Sequence, residues 1–361
     1  MSYATNTTPE SGSQKQPEKS TSAIKRFNMK EYYSRQFPRD VENFKNSGRI
    51  QSGYANVDIL TNLYPGLYVI GAISSLGKTT FIHQMSEQIA ESGGHVLFFS
   101  LEQSALELAS KSIARTIAKQ DAENGLSSLQ VRRTDPTDFR IASAIEKCSS
   151  YSDRITVIEC SFRASINNIA GAITGYIESS GVKPVVVIDY LQVIQSPPNS
   201  RMTTKDTIDY HVRRLKELQI DYQLTMIVIS SLNRQNYATA IDYEAFKESG
   251  GIEYTADVVW GLQLQCIHEK LFSCQNKVNE KRQRIKEAKR ENPRKIELVC
   301  LKNRFGISSY SCQFNYFSKY DLFEPDLTGM DISSIPEDNA DTDGWMTIPK
   351  GFEKDLPWDT E

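Results

Sequence analysis

The chain alternates between short apolar runs and longer stretches in which apolar side chains recur at helical spacing. Leu67 to Ile70, His95 to Ser100 (HVLFFS), Arg154 to Glu159 (RITVIE), Pro184 to Asp189 (PVVVID), Thr225 to Ser230 (TMIVIS) and Val258 to Leu264 (VVWGLQL) have the length and β-prone content of strands buried on both faces. Between them, Phe81, Met85 and Ile89 repeat on a helix that stops near Gly93-Gly94. Leu106, Ile113 and Ile117, then Ile166 to Ile177, then Ile208 to Ile220, carry further helices. This alternation with short connections predicts an α/β fold, a mainly parallel sheet with helices on both faces. Ile296 to Leu301 and Tyr310 to Tyr316 read as a hairpin across Lys302-Asn303-Arg304-Phe305-Gly306.

The ends depart from that pattern. Residues 1–23 have almost nothing to bury and are predicted to be a disordered arm. In the segment 24–50, Pro38 opens a short helix with Phe37, Val41 and Phe44 on one face and Gly48 at its close; it packs on its own body or on a neighbouring subunit. Residues 51–324 form the main domain. Within it, Glu269 to Lys295 is dominated by Lys, Arg and Glu, with Leu271, Val278 and Ile285 as a thin apolar seam. It reads as a solvated helix lying across the body, or as a basic nucleic-acid contact. Residues 325–361 form an acidic tail, predicted to be disordered, in which Trp345, Ile348, Phe352, Leu356 and Trp358 stand among acids.

With 361 residues and 39% hydrophobic content, the chain is long enough for one large buried core. The net charge of -3 conceals an asymmetry. From Pro325 onward ten acidic and two basic side chains give -8, which leaves +5 on the preceding residues. A mildly basic body with an acidic tail suits a protein that meets nucleic acid, and equally one that meets none. No apolar run approaches the roughly 20 residues that span a membrane, so no membrane association and a cytoplasmic location are expected. Cys148, Cys160, Cys266, Cys274, Cys300 and Cys312 are dispersed without a CxxC pair, which argues for reduced, mostly buried thiols rather than a zinc site.

The candidate chemistry lies where strands end. LYVIGAISSLGKTT joins the first strand to a helix through a phosphate-binding loop in which Ser74, Ser75, Leu76, Gly77, Lys78, Thr79 and Thr80 face or frame the phosphates. Backbone N–H groups turned into one concavity, a helix N-terminal dipole, the Lys78 ammonium and the Thr79 hydroxyl together suit a nucleotide phosphate with Mg²⁺. The usual pattern opens with Gly six residues before the Lys; this chain has Ala72 there. Glu102, just past HVLFFS, faces the crevice where α/β sheets bind ligands. Asp189, closing PVVVID, can hold the water shell of the ion that Thr79 ligates.

In order, these motifs resemble the C-terminal motor domain of DnaB-type replicative helicases, within the RecA-like ATPases. The likeness runs from about Ile50 to Phe323. GLYVIGAISSLGKTTF resembles the family's phosphate loop, which itself carries Ala where Ala72 stands. HVLFFSLEQS is similar to the family's VLFFSLEMS, VVVIDYLQVI to its second acidic motif, VISSLNR to its third motif, ESGGIEYTADVV to its ESGSIEQDADVV, and KNRFG to its KQRNG.

The resemblance implies an ATP hydrolase in DNA replication that translocates on single-stranded DNA as a homo-oligomeric ring, a hexamer in this family. It implies that Glu102 orients the attacking water as general base and that Lys78, Thr79 and Asp189 hold phosphate and metal. Lys302 and Arg304 become a basic finger reaching a neighbour's site, and Asp257 has a structural role. The DNA loops correspond to Ser196 to Thr207, with Arg201 and Lys205, and to Arg234 to Ser249, with Arg234 and Lys247. Three departures stand out. Ser231 replaces a Gln that senses the γ-phosphate and relays it to the DNA loops; only an arm and a short helix precede the motor; and the charged stretch at Glu269 to Lys295 is longer than its counterpart. The tail resembles the acidic DLPF-type tips with which bacterial single-stranded-DNA-binding proteins recruit replication partners, against the alternative of a passive solubilising tail. Two further readings remain: a RecA- or RadA-like recombination ATPase, and an ATP-gated DNA-binding loader or scaffold that does not unwind.

Overall fold

The computed structural model describes residues 28–46, 50–196, 201–233, 238–246, 250–274 and 276–328. The arm 1–23 and almost all of the tail lie outside the described residues, and the two expectations of disorder lie there with them. The chain divides into two units, Met1–Gly48 and Arg49–Glu361.

In the first unit, helix α1 (Phe37–Asn46) follows a π-turn segment at Tyr32–Gln36 and begins one residue before Pro38, where a missing N–H costs nothing. The Tyr32 hydroxyl donates to Asp40 Oδ2 at 3.0 Å, and Phe37 is exposed.

The second unit is built on one nine-stranded sheet in the order β3-β2-β4-β5-β1-β6-β7-β8-β9. Six strands run parallel: β1 (Gly66–Ala72), β2 (Val96–Ser100), β3 (Ile155–Glu159), β4 (Val185–Asp189), β5 (Thr225–Ser231) and β6 (Val258–Leu264). The continuous apolar runs of β1, β2, β4, β5 and β6 are buried on both faces, as the sequence pattern requires, whereas RITVIE departs from that expectation: β3 is the edge strand, paired only with β2, and is half-buried. Then β7 (Arg294–Asn303), β8 (Ser311–Phe317) and β9 (Leu322–Asp326) continue the sheet antiparallel. Two groups of helices flank it. One comprises α2 (Lys78–Glu91), α3 (Ala105–Gln120) and α4 (Phe139–Ser149); the other, α5 (Ile166–Ser180), α6 (Thr204–Tyr222) and α7 (Gly250–Thr255). Helix starts are capped from the sequence, by Ser104 with Glu107 for α3 and by Thr203 with Asp206 for α6.

Three further expectations are corrected. On α3, Leu106 is 66% exposed while Leu108 is buried, so the core face is set by Leu108, Ala114 and Ile117. The charged stretch is not one helix: it breaks into a short turn of helix at Lys270–Ser273 and α8 (Val278–Ala288), and its last two residues, Arg294 and Lys295, already belong to β7. Finally, β9 continues through Pro325, which pairs with Phe314, so the body extends to Asp326 and the tail starts later.

Candidate functional site

At the end of β1 the backbone turns through Ser75, at φ 66°, and Gly77, at φ 89°, before α2 begins at Lys78. Such left-handed positions curl successive N–H groups toward a common point, an anion-binding nest backed by the helix dipole. Gly77 is favoured by its φ, and an added Cβ there would lie 3.0 Å from the Tyr316 ring, so that the ring would have to give way. Leu76 is buried and anchors the loop. The Lys78 ammonium folds over the nest and donates to the Ala72 carbonyl at 2.9 Å. Burial pulls its pKa below the ordinary range, with Lys289 adding to the effect and Asp189 and Glu102 opposing it.

Strand register brings the acids to the same edge. Ser100 of β2 pairs with Asp189 of β4, and the Leu101 N–H donates to the Asp189 carbonyl at 2.8 Å, so Glu102 emerges beside Asp189. Glu102 is exposed and lines one cleft with Lys78, Thr79, Asp189, Tyr190 and Ser231. The Thr79 hydroxyl donates to Asp189 Oδ2 at 2.7 Å. Asp189 is 1% exposed. Burial pushes its carboxyl up to about 6, with the Thr79 bond acting in the opposite sense. A buried carboxylate beside a hydroxyl, with no ion-pair partner among the described residues, is a donor set that fits a hard cation such as Mg²⁺.

Three predicted phosphate-loop members need qualification. Thr80 turns away from the cleft: its hydroxyl donates to Asp321 at 3.2 Å and accepts from Lys111 at 3.1 Å, which leaves its backbone N–H for a phosphate. Ser74 and Ser75 present their carbonyls to cations that the sequence reading placed elsewhere. Lys289 Nζ donates to Ser74 O at 2.8 Å, and Arg294 Nη1 to Ser75 O at 3.0 Å, with its guanidinium 5.3 Å from the Tyr316 ring centre. Both lie in the charged stretch. Pro293 was the available signal that Arg294 belongs to a strand and points back at the sheet edge.

Ser231 lines the cleft, but its neighbourhood is organised by Gln192. Backbone pairing of β4 with β5 is last seen at Ile188 and Val228. Beyond that point the Gln192 amide takes over, donating to Ser230 Oγ at 2.8 Å and accepting from the Ser231 N–H at 3.1 Å.

Lys302 and Arg304 lie elsewhere. Asn303 of β7 pairs with Val258, which lies opposite Tyr68 at the start of β1, whereas the phosphate loop leaves the other end of β1. At about 3.3 Å per residue, the strand alone separates Arg304 from its own Lys78 by well over 10 Å. Arg304 Nη1 instead donates to Asp257 at 3.1 Å, and Lys302 Nζ to the Glu253 carbonyl at 2.6 Å. Of the DNA candidates, Arg201 and Lys205 are exposed, Lys205 in the first turn of α6. Arg234 and Lys247 lie outside the described residues. A separate hollow between Arg163, Asn168, Gln195 and Tyr210 contains none of these groups.

Residues 49–325 match the DnaB-like helicase C terminal domain. The chain belongs to this family. Relatives of the DnaB-like chain include the replicative DNA helicase DnaB of Geobacillus stearothermophilus, 24% identical over 80% of this chain and 59% of that protein. The DnaB of Leifsonia xyli is 28% identical over 61% of this chain and 48% of its own length. The chain thus spans about half of the curated relatives it matches. Among solved structures, an isolated ATPase domain superposes with a TM-score of 0.64 at 20% identity, covering 83% of this chain and 99% of that one. A DnaB-like replicative helicase studied with primase gives 0.63 at 20% identity, over 83% and 67%. These structures share the RecA-like fold. Among the described residues no helix is long and apolar enough to cross a membrane.

Proposed function

We propose that this DnaB-like chain is an ATP-hydrolysing motor that translocates on single-stranded DNA in replication, with each ATP site completed by a neighbouring subunit. The convergence of Lys78, Thr79, Asp189 and Glu102 on one cleft, with Arg304 at the opposite edge of the sheet, carries this reading. In it, the nest and Lys78 bind the terminal phosphates, and Thr79 with Asp189 hold Mg²⁺, which supplies neutralising charge. Glu102 orients the attacking water and accepts its proton. Arg304, with Lys302 beside it, acts on the next subunit's phosphates, because its own are out of reach. A contact of that kind is head-to-tail, and it gives the ring of this reading where the rotation between subunits closes, a filament where it does not. Arg201 and Lys205, with Arg234 and Lys247, contact the DNA backbone without regard to sequence. The acidic tail docks a replication partner.

Ser231 favours a second reading, an ATP-gated loader, since its hydroxyl is too short to relay a phosphate contact to the DNA loops. ATP turnover with and without single-stranded DNA, followed by displacement of a forked duplex, separates the readings. Stimulated turnover with unwinding supports the helicase; stimulation with strand pairing supports a recombinase; slow, DNA-insensitive turnover supports the loader.

A further inference from the structure

Asp257 sits where α6, β1, β6 and the β7–β8 hairpin meet, and it is 4% exposed. Oδ2 accepts the Leu67 N–H at 2.8 Å and the Lys216 ammonium at 2.5 Å. Oδ1 accepts Arg304 Nη1 at 3.1 Å, and the Asp257 carbonyl accepts the Arg304 N–H at 3.1 Å. The two cations are not equivalent. The Lys216 side chain is 19% exposed and makes the shorter contact, whereas that of Arg304 is 52% exposed and makes the longer one. Lys302, the other finger cation, is engaged with the Glu253 carbonyl.

A buried carboxylate deprived of every cation is strongly unfavourable, while an exposed ion pair contributes little. Had Arg304 been the sole counter-ion of Asp257, releasing it would leave such a carboxylate behind. We propose that Lys216 is the permanent counter-ion of Asp257 and so frees Arg304 to leave for a neighbouring subunit's phosphate. Lys216 and Asp257 are then positioning residues: they aim the finger through its backbone and one weak side-chain contact, yet do not bind it tightly. This rests on the reading of Arg304 as a finger acting between subunits.

The test measures steady-state ATP turnover, nucleotide affinity and thermal unfolding of the full chain, with Mg²⁺, for Lys216→Met, Lys216→Arg, Asp257→Asn and the double variant Lys216→Met/Asp257→Asn. Arg304→Ala serves as control. Lys216→Met leaves Arg304 as the cation in contact with Asp257, and kcat is expected to fall about tenfold with nucleotide affinity unchanged. Lys216→Arg keeps a cation and keeps kcat. Asp257→Asn has no charge with which to hold the guanidinium. The double variant is therefore expected to recover to the rate of Asp257→Asn alone, a rescue that a merely structural lysine would not give. Wild-type kcat in Lys216→Met, or a double variant as slow as Lys216→Met, overturns the proposal. Should Lys216→Met fail to fold, Lys216→Gln takes its place with the same expected rescue. If Arg304→Ala turns over like wild type, the finger reading fails and the proposal with it; if Arg304→Ala is slow while Lys216→Met is fast, only the proposal fails.

Discussion

Asp189 and Asp257 are both buried aspartates at the ends of strands, and their surroundings are opposites. Asp189, at the carboxyl edge of the parallel strands, has a hydroxyl for a partner and a carboxyl pushed up to about 6 by burial. Asp257, at the amino edge, holds Lys216 and Arg304 at once. Burial sets the same problem in each place, since a carboxylate out of water needs compensating charge. The first acid is short of a cation, which suits a site that takes up Mg²⁺ with nucleotide. The second has one cation more than it needs, which suits a site that gives one away. On this account the two edges of the sheet are two halves of a site that closes only between subunits.

The comparison breaks most sharply at the phosphate loop. Lys78→Ala removes the ammonium that covers the nest, and ATP turnover is expected to vanish; wild-type turnover in that variant would take the carboxyl edge out of the mechanism. Next in size is Arg304→Ala, which is expected to bind nucleotide normally and to lose about 10³-fold or more in kcat, as removal of a charge-stabilising arginine does. Equal losses in binding and turnover would instead place Arg304 in general folding.

Asp189→Asn tests the shortage of charge directly, without nucleotide or metal. A carboxyl raised from 3.8 to about 6 in the folded state carries a penalty that is full above the folded value and fades as pH falls toward 3.8. At neutral pH this amounts to up to about 3 kcal/mol, so the amide variant is expected to unfold at a higher temperature than wild type at pH 7.5 and at nearly the same temperature at pH 4. A variant less stable than wild type at pH 7.5 would mean that Asp189 is already compensated. The smallest expected effect lies at the DNA candidates. Lys205→Ala should reduce the slope of log affinity for single-stranded DNA against log salt by up to about 1, uniformly across sequences. An unchanged slope would remove Lys205 from the interface.

The carboxyl edge was legible in the sequence because its parts are local. A buried strand, a Gly-Lys-Thr turn and an acid closing PVVVID each lie within a few residues, and parallel register then forces them together. At the amino edge the family resemblance singled out Arg304, Lys302 and Asp257, but not Lys216 or the contact among them, because Lys216, Asp257 and Arg304 sit on three separate elements that meet only through long-range pairing. The same holds for Lys289 and Arg294, which the sequence pattern placed on a solvated helix or a nucleic-acid contact, although the helix stops at Ala288 and Pro293 stands just ahead of β7. Leu106 misled for a local reason: it sits in the first turn of α3, beside the capping box, and projects outward. Gln192 went unnoticed because nothing in its spacing announces a side chain that extends a strand ladder.

Mixing two crippled variants tests shared sites most directly. Glu102→Gln lacks the base but keeps the finger, and Arg304→Ala lacks the finger but keeps the base. ATP turnover is measured for each alone and across mixing ratios. If each site spans two subunits, both variants are slow alone and an equimolar mixture recovers up to about a quarter of the wild-type rate, the share of random junctions that pair an intact base with an intact finger. A mixture no faster than its components, or brisk turnover by a chain that stays monomeric with nucleotide and DNA present, would contradict it.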